Sequence, residues 1–237
     1  MPDQLNVAIL GASGFVGAEL LQFCIKHPNI KIQSLSANTF AGQDIKIEGI
    51  EDIIKKYQLI EDINFDSIDF IFNCLPNTKL HKLIKKIPND IRIIDLSADF
   101  RLDNYDDYKK WYAFDHMAMN EKINFTYGLS EIKREKIKHS KHVSNPGCYA
   151  TSVLVPLIPL IRKGLIKDNI IIDAKSGYSG AGKTKKTEDL LNEVNENIKT
   201  YGVGDHSHIA EINQEINKSK ENLDIKVFFS ANLIPVK

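Results

Sequence analysis

Short apolar runs alternate along the first part of the chain with segments whose apolar positions recur at helical spacing. Such continuous runs are typical of strands buried on both faces of a parallel sheet, and the intervening periodicity predicts helices. The predicted strands cover residues 5–10, 30–35, 68–74 and 91–96, and the predicted helices cover residues 15–26 and 80–87. This order predicts an α/β fold with a doubly wound sheet.

The pattern changes near residue 148, where we place a boundary between domains 1–147 and 148–237. Residues 149–163 predict a helix, which Pro156 and Pro159 should kink or break. Beyond it the sequence predicts strands at 169–174 and 224–231, a loop rich in Gly, Ser and Lys at 175–186 and an exposed helix at 187–197.

Composition excludes several classes of protein. The 237 residues are 43% hydrophobic, and 31 basic side chains balance 31 acidic ones, so no net charge favours nucleic acid or a membrane surface. No apolar run approaches the roughly 18 residues that a membrane span needs, and the N-terminus does not resemble a signal peptide. Three scattered cysteines suit neither a disulfide scaffold nor a metal site. We therefore expect a cytoplasmic protein with reduced thiols and no metal.

A glycine-rich turn, Gly11-Ala12-Ser13-Gly14-Phe15-Val16-Gly17, separates the first predicted strand from the first helix. Its G-x-x-G-x-x-G spacing is close to that of Rossmann-like dinucleotide-binding turns. The first glycine permits a tight turn, the second lets backbone approach a pyrophosphate, and the third lets the helix lie close to the sheet. The alternative is a turn with incidental glycines. We favour cofactor binding by Gly11, Ser13, Gly14, Phe15, Val16 and Gly17.

The end of the second predicted strand indicates which dinucleotide binds. NAD enzymes usually place an acidic residue there to hold the ribose hydroxyls. Residues 34–39 read Ser-Leu-Ser-Ala-Asn-Thr and contain no acid, which leaves room for a 2′-phosphate. We therefore predict NADP, with Ser36 in the binding site.

Cys148 follows Asn145-Pro146-Gly147 and begins an apolar helical segment. A helix N-terminus favours the thiolate form of cysteine, and a thiolate there is a ready nucleophile for a carbonyl carbon. Asn145 is close enough in sequence to orient a substrate oxygen. The alternative for Cys148 is a buried structural cysteine, a description that suits Cys24 and Cys74 better.

Five motifs occur in order along the chain: the glycine turn, Asp95-Leu96-Ser97-Ala98-Asp99-Phe100-Arg101, Tyr127-Gly128-Leu129-Ser130-Glu131, Asn145-Pro146-Gly147-Cys148-Tyr149 and Ser176-Gly177-Tyr178-Ser179-Gly180-Ala181-Gly182. Together they resemble the N-acetyl-gamma-glutamyl-phosphate reductases of arginine biosynthesis. More distant relatives are the aspartate-semialdehyde dehydrogenases. The resemblance implies a Rossmann-like domain followed by an α+β catalytic and dimerisation domain.

The resemblance also implies a reaction. Cys148 attacks N-acetylglutamyl phosphate and expels phosphate, NADPH reduces the thioacyl enzyme, and a histidine acts as base and acid. The family's histidine pair matches His206 and His208, of which we favour His208 because it can meet Glu211 on a helix. Arg101, Asn145 and Glu211 are the expected substrate-binding residues. The loop near the nicotinamide matches Ser179, Gly180, Ala181 and Gly182.

Three positions depart from the family pattern. Ser207 stands where Arg is usual between the two histidines, Asn77 where His usually follows Leu-Pro, and Asn232 where His is usual. Residues 177–184 also satisfy the P-loop expression G-x-x-x-x-G-K-[ST]. We reject an ATPase, because a complete nucleotide-binding unit precedes this motif and a charged segment follows it.

Family members usually extend about a hundred residues beyond the end of this sequence, so we expect a C-terminal truncation, with poor solubility and weak or no activity. Full-length members assemble as dimers or tetramers, and a homo-oligomer is the expectation for the full-length protein. Two alternatives stay open. One is a related aminoadipyl-phosphate reductase of lysine synthesis, and the other is an inactive NADP-binding fragment.

Overall fold

The computed structural model of the protein describes residues 4–45, 54, 56–166, 168–181, 194, 196–219 and 225–236. The chain forms two units. The first comprises Met1–Phe100, Met117–Thr126 and His139–Asn145, and the second comprises Arg101–His116, Tyr127–Lys138 and Pro146–Lys237. Two segments that precede Cys148 in sequence are therefore part of the second unit.

A six-stranded sheet, in the order β2-β1-β3-β4-β6-β5, organises the first unit. Strand β1 pairs in parallel with β2 and β3, and β4 pairs in parallel with β3 and β6. The predicted doubly wound sheet is thus confirmed. The strands are β1 (Leu5–Leu10), β2 (Ile30–Ser36), β3 (Phe70–Asn73), β4 (Arg92–Asp95), β5 (Phe125–Tyr127) and β6 (His142–Ser144).

The sequence of strand β1 is continuously apolar because both faces of the strand are buried. Val7 and Ile9 belong to one buried cluster, whereas Ala8 and Leu10 belong to another. Successive side chains of a strand point to opposite faces, so both faces of this strand are covered. Helix α1 (Phe15–Ile25) contributes Leu21 and Cys24 to the first cluster. Helix α2 (Leu80–Leu83) supplies Leu80 to the second and continues as a 3₁₀ turn (Ile84–Lys86), so the helix predicted at 80–87 is shorter than expected.

The second unit combines helices with a three-stranded sheet of order β7-β9-β8, in which β7 and β9 are parallel and β8 is antiparallel to β9. Its strands are β7 (Ile170–Ser176), β8 (Lys199–Tyr201) and β9 (Val227–Leu233). Its helices are α3 (Tyr105–Tyr112), α4 (Ser130–Lys138), α5 (Cys148–Arg162) and α6 (His208–Ser219).

The prolines were predicted to kink or break helix α5, and the structure shows no break, because the helix is continuous through Pro156 and Pro159. Each proline removes one backbone hydrogen bond and crowds the preceding turn. The loss is offset by packing, because one face of α5 is buried in the core of the unit along the whole helix. The buried side chains on this face include Val153, Leu154, Ile158 and Ile161.

The helix predicted at 187–197 lies mainly outside the described residues. Val194 and Glu196 are described and lie in turns, and Glu196 has a φ of +58°, so the helix does not extend to Asn197. Among the helices of the described ranges, none combines the length and apolar character needed to span a membrane. The same ranges contain no group of three or more His, Cys, Asp or Glu side chains arranged to hold a metal ion.

Candidate active site

The glycine turn between β1 and α1 tolerates no side chain at two of its three glycines. Gly11 has a φ of +79°, and a Cβ there would lie 2.7 Å from the carbonyl oxygen of Cys74. A Cβ on Gly17 would lie 2.5 Å from the carbonyl oxygen of Gly11. These contacts are with backbone, which cannot move aside cheaply. The tight turn and the close approach of α1 to the sheet that the spacing predicts are both present.

The turn lies where a dinucleotide binds in doubly wound sheets. Strand β1 lies between β2 and β3, so the strand order reverses at its carboxyl end, which is the usual crevice for such ligands. The N-cap of α1 is Gly14, no side chain caps the helix, and its first turn contains no acidic residue. The backbone N–H groups and the positive end of the helix dipole therefore suit a pyrophosphate. The residues present fit a nicotinamide dinucleotide.

Ser36 holds the turn in place. Its hydroxyl oxygen accepts a hydrogen bond from the Gly11 N–H (3.2 Å), and its carbonyl oxygen accepts one from the Ala12 N–H (2.8 Å). The Ser36 side chain is buried, whereas Asn38 and Thr39 after the strand are exposed. A contact of Ser36 with the cofactor itself stays a prediction.

Asp95 ends β4 at the same edge of the sheet and is completely buried. Its Oδ1 accepts hydrogen bonds from the Asn73 side-chain amide (2.7 Å) and the Ser97 backbone N–H (2.9 Å). Burial raises the pKa of the Asp95 carboxyl to about 6, and these hydrogen bonds only partly oppose that shift. The carboxylate is therefore ionised at neutral pH at a cost in stability.

Asp95→Asn is expected to stabilise the protein above pH 6 and to have little effect near pH 4. The folded-state pKa lies above the ordinary value of 3.8, so the free energy of unfolding falls as the pH rises between these values. Asparagine keeps the accepting oxygen and removes the charge. The free energy of unfolding should therefore rise by up to about 3 kcal/mol at pH 8. Thermal unfolding from pH 4 to 8 should show a Tm higher by about 5–10 °C only at the alkaline end. If the Tm of the variant and that of the unaltered protein differed by the same amount at every pH, this explanation would be contradicted.

Cys148 is the first residue of α5, and its side chain is exposed. The N-cap is Gly147, and no side chain caps the helix. The cysteine opens into a cavity of about 480 Å³, which is lined by Cys148, Tyr149, Ser176, Gly177, Gly180, Lys199, Tyr201, His206, Ser207, His208 and Leu233. Segments of the sequence that are up to 85 positions apart therefore meet around the thiol.

Both predicted histidines line this cavity. The Nδ1 of His206 accepts a hydrogen bond from the His208 backbone N–H (3.2 Å), and its ring contacts those of Tyr149, Tyr201 and Phe229. The His208 ring lies against Gly147, the residue before the cysteine. Burial lowers the pKa of both histidines, that of His208 to about 4, although Glu211 opposes the shift in each case. At neutral pH His208 is uncharged and can accept a proton.

Arg101 and Glu211, both predicted to bind substrate, bind each other. The Arg101 Nη1 lies 3.0 Å from Oε1 of Glu211, and both side chains are buried. The other oxygen of Glu211 accepts hydrogen bonds from the Tyr127 hydroxyl and the Gly147 N–H, each at 2.9 Å. The expected meeting of His208 and Glu211 is present as a 3.9 Å separation between Nε2 and Oε1.

The remaining predicted residues occupy separate places. Gly180 lines the cavity, and Ser179 lies beside it in the 3₁₀ turn Tyr178–Ala181, which follows β7. Gly182 lies outside the described residues, as does the Lys183-Thr184 end of the P-loop expression. Asn145 is part of the first unit, where its backbone N–H donates to the carbonyl oxygen of Asp95 (2.7 Å).

The structure shows what surrounds each of the three residues that depart from the family pattern. Ser207 lines the cavity. The side-chain oxygen of Asn77 accepts a hydrogen bond from the Ala98 N–H (2.9 Å). Asn232 on β9 donates to Oδ1 of Asp173 and accepts from the Thr200 hydroxyl, both at 2.7 Å, and so links the three strands of its sheet.

The sequence did not single out Tyr149, Tyr201 or Lys199, which also line the cavity. The Tyr149 and Tyr201 hydroxyls are hydrogen-bonded to each other at 2.9 Å. Tyr149 adjoins the cysteine, and its position could have suggested a role. Tyr201 and Lys199 lie in a short strand whose residues are all exposed, and no local pattern marks them.

Comparison with known proteins agrees with this arrangement. Residues 6–140 match the family model described as semialdehyde dehydrogenase, NAD binding domain, and residues 148–237 match semialdehyde dehydrogenase, dimerisation domain. A protein of Ehrlichia canis named N-acetyl-gamma-glutamyl-phosphate reductase is 44% identical over 100% of this chain and 70% of its own length. A rice protein named probable chloroplastic N-acetyl-gamma-glutamyl-phosphate reductase is 39% identical over 99% of this chain and 57% of its own length.

Solved structures show the same fold at low sequence identity. Aspartate semialdehyde dehydrogenase II of Vibrio cholerae superposes with a TM-score of 0.71 at 17% identity, over 99% of this chain and 71% of that one. The structure of Candida albicans aspartate semialdehyde dehydrogenase with NADP superposes with a TM-score of 0.60 at 17% identity, over 99% of this chain and 68% of that one. The glycine turn, the cysteine cavity and these matches together show that the chain belongs to the semialdehyde dehydrogenase family, among the N-acetyl-gamma-glutamyl-phosphate reductases.

Proposed function

We propose that this chain catalyses the NADPH-dependent reduction of N-acetyl-L-glutamyl 5-phosphate to N-acetyl-L-glutamate 5-semialdehyde and phosphate, a step of arginine biosynthesis. The observation that carries the proposal is the exposed Cys148 at the start of α5, in one cavity with His206 and His208. The names of the relatives at 39–44% identity support the same reaction.

Cofactor binding is assigned to residues 1–147 and the covalent chemistry to residues 148–237. The turn at Gly11 and the uncapped start of α1 would hold the pyrophosphate. The absence of an acidic residue from positions 34–39 favours NADP over NAD. When bound, the nicotinamide supplies the hydride that reduces the acyl group.

Cys148 performs the covalent step. Its sulfur forms a bond to the acyl carbon while the bond between that carbon and the phosphate oxygen breaks, so that inorganic phosphate leaves and a thioester remains. Splitting the reduction in this way replaces one difficult step by two easier ones. His208, which is uncharged at neutral pH, accepts the thiol proton and, after hydride transfer, donates it to the oxygen of the acyl carbon. On release of the product His208 takes this proton back while the carbon–sulfur bond breaks, so that the semialdehyde leaves and the Cys148 thiolate is restored.

The proposal also covers the cellular compartment and the oligomeric state of the protein. All three cysteines are free, as is usual for proteins of reducing compartments, which supports a cytoplasmic location. The match of residues 148–237 to a dimerisation domain supports assembly with further copies of the chain. The balance of basic and acidic residues gives no reason to expect binding to nucleic acid or membranes.

The reverse reaction tests the proposal. N-acetylglutamate semialdehyde and NADP should yield NADPH continuously in the presence of phosphate. Without phosphate we expect a burst of about one NADPH per chain, because the thioester on Cys148 then has no acceptor and accumulates. Absorbance at 340 nm measures the burst, and intact-protein mass spectrometry measures the acyl group.

Substrate and cofactor controls separate the alternatives. Aminoadipate semialdehyde replaces the substrate in a parallel reaction, and NAD replaces NADP in another. A faster reaction with the longer aldehyde would assign the chain to lysine synthesis. NADPH binding without burst or turnover would overturn the proposal in favour of a binding module.

A further inference from the structure

A buried carboxylate lies directly behind the catalytic cysteine. The side chain of Glu211, in the first turn of α6, is fully buried and accepts three hydrogen bonds. One comes from Arg101 (3.0 Å to Oε1), and Tyr127 and Gly147 donate the other two (each 2.9 Å to Oε2). A charge this deeply buried is stable only when it is compensated in this way.

The hydrogen bond to Gly147 connects this carboxylate to the cysteine. Gly147 is the N-cap of α5 and precedes Cys148. Its carbonyl oxygen accepts hydrogen bonds from the Thr151 N–H (2.8 Å) and the Thr151 hydroxyl (3.0 Å). Because Glu211 holds the N–H of the same residue, Gly147 is fixed from both sides, and the position of the cysteine backbone follows.

Helix α6 also supplies the histidine. His208 lies three residues before Glu211, and its ring occupies the space where a side chain of residue 147 would be. The contact between Glu211 and Gly147 therefore fixes the distance between the start of α5 and the start of α6. It sets where the thiol of Cys148 lies relative to the imidazole of His208.

We propose that Tyr127 is a positioning residue for this reaction: through the Glu211 carboxylate, its hydroxyl holds Gly147, and thereby Cys148, in place against His208. Tyr127 and Gly147 share one oxygen of Glu211, whereas Arg101 binds the other. The phenol is buried, and burial together with Glu211 raises the pKa of Tyr127, so it remains a hydrogen-bond donor. Removing this hydroxyl leaves Oε2 with the Gly147 N–H as its donor, while Arg101 continues to orient the carboxylate through Oε1.

The experiment compares Tyr127→Phe with Ile212→Val. Ile212 is buried in the core of the same unit, next to Glu211 in sequence, and its truncation lowers stability without touching the carboxylate. Three quantities are measured in the full chain: hydrogen exchange of the Gly147 amide, the rate of Cys148 alkylation by iodoacetamide, and kcat and KM. Cys148→Ser identifies the alkylation signal, since Cys24 and Cys74 are at least partly buried.

For Tyr127→Phe we expect faster exchange at Gly147, by about tenfold, an altered alkylation rate, and a kcat lower by about ten- to a hundredfold at unchanged KM. Ile212→Val should change none of these beyond its effect on Tm. Equal exchange and alkylation in the two variants would overturn the proposal and leave Tyr127 a purely stabilising residue. The inference rests on the proposed function only for kcat, because exchange and alkylation decide it even if the unaltered chain shows no turnover.

A second background tests whether Tyr127 acts through Glu211. Arg101→Met combined with Glu211→Leu removes both buried charges together, a replacement that proteins often tolerate. When Tyr127→Phe is added to this double variant, neither the hydrogen exchange of the Gly147 amide nor the rate of Cys148 alkylation should change further. A change as large as in the unaltered chain would show that Tyr127 acts by another route and would refute the inference.

Discussion

Replacing Cys148 with serine is expected to lower turnover by at least about a thousandfold. The hydroxyl of serine is far less acidic than a thiol, and His208 is the neighbouring base available to activate it. The reaction should also lose its covalent intermediate, so the phosphate-free burst of NADPH and the acyl adduct should both disappear. NADPH binding should persist with an unchanged Kd, because the substitution alters neither the glycine turn at residues 11–17 nor residues 179–182.

Cys24→Ala serves as the matched control for Cys148→Ser. Cys24 is buried in α1, and burial raises the pKa of its thiol, so it contributes packing but no nucleophile. Cys74 is equally unsuited, since burial raises the pKa of its thiol to about 12. Cys24→Ala should keep the burst and lose only a few degrees in Tm. Retention of the burst and the acyl adduct in Cys148→Ser would show that another group carries the acyl chain.

Gly147→Ala is expected to lower turnover by about a hundredfold while the protein still folds. Its φ of −64° and ψ of 153° suit alanine, so the backbone is not strained. The new methyl would lie 2.7 Å from two carbons of the His208 ring and closer still to Nε2. The imidazole must then rotate away from the cysteine, at a cost in stability of about 1–3 kcal/mol.

Gly14→Ala is the structural control for Gly147→Ala. Gly14 is the N-cap of α1, with a φ of −72° and a ψ of 166°, and its nearest neighbour would lie an ordinary 3.5 Å away. Cys148 alkylation and Tm should be unchanged in this variant. In Gly147→Ala the Tm should fall by a few degrees and the proton-dependent steps of the reaction should slow. A Gly147→Ala protein with normal kcat would show that His208 is not the base.

The sequence allowed strands β1 to β4 of the first sheet to be predicted because their signals are local, whereas the three-residue strands β5 and β6 were not predicted. The apolar run of β1 is continuous since both of its faces are buried, and the glycine spacing after it is required by backbone contacts. The start of α5 at Cys148 was predicted for the same reason, from Pro-Gly before an apolar helical segment.

Contacts between distant residues explain what was not predicted. A proline pattern indicates a helix break, but it does not show that α5 has a buried face that stabilises it. Substrate contact by Arg101 and Glu211 stays a prediction, but their hydrogen bond to each other, between residues 110 positions apart, has no local sequence signal. Tyr201 on the exposed strand β8 reaches the cavity only through the pairing of β8 with β9, which no local pattern indicates.

The hydrogen bond from Gly147 to Glu211 joins residues 64 positions apart, and this has a consequence for synthesis of the chain. Closing so long a loop carries an entropic cost that only later contacts repay. Until residue 211 has left the ribosome and α6 has docked, the nascent chain contains Cys148 without its histidine or the anchor behind it. The thiol therefore acquires the histidines that line its cavity only after residues 206–211 have been synthesised and α6 has docked.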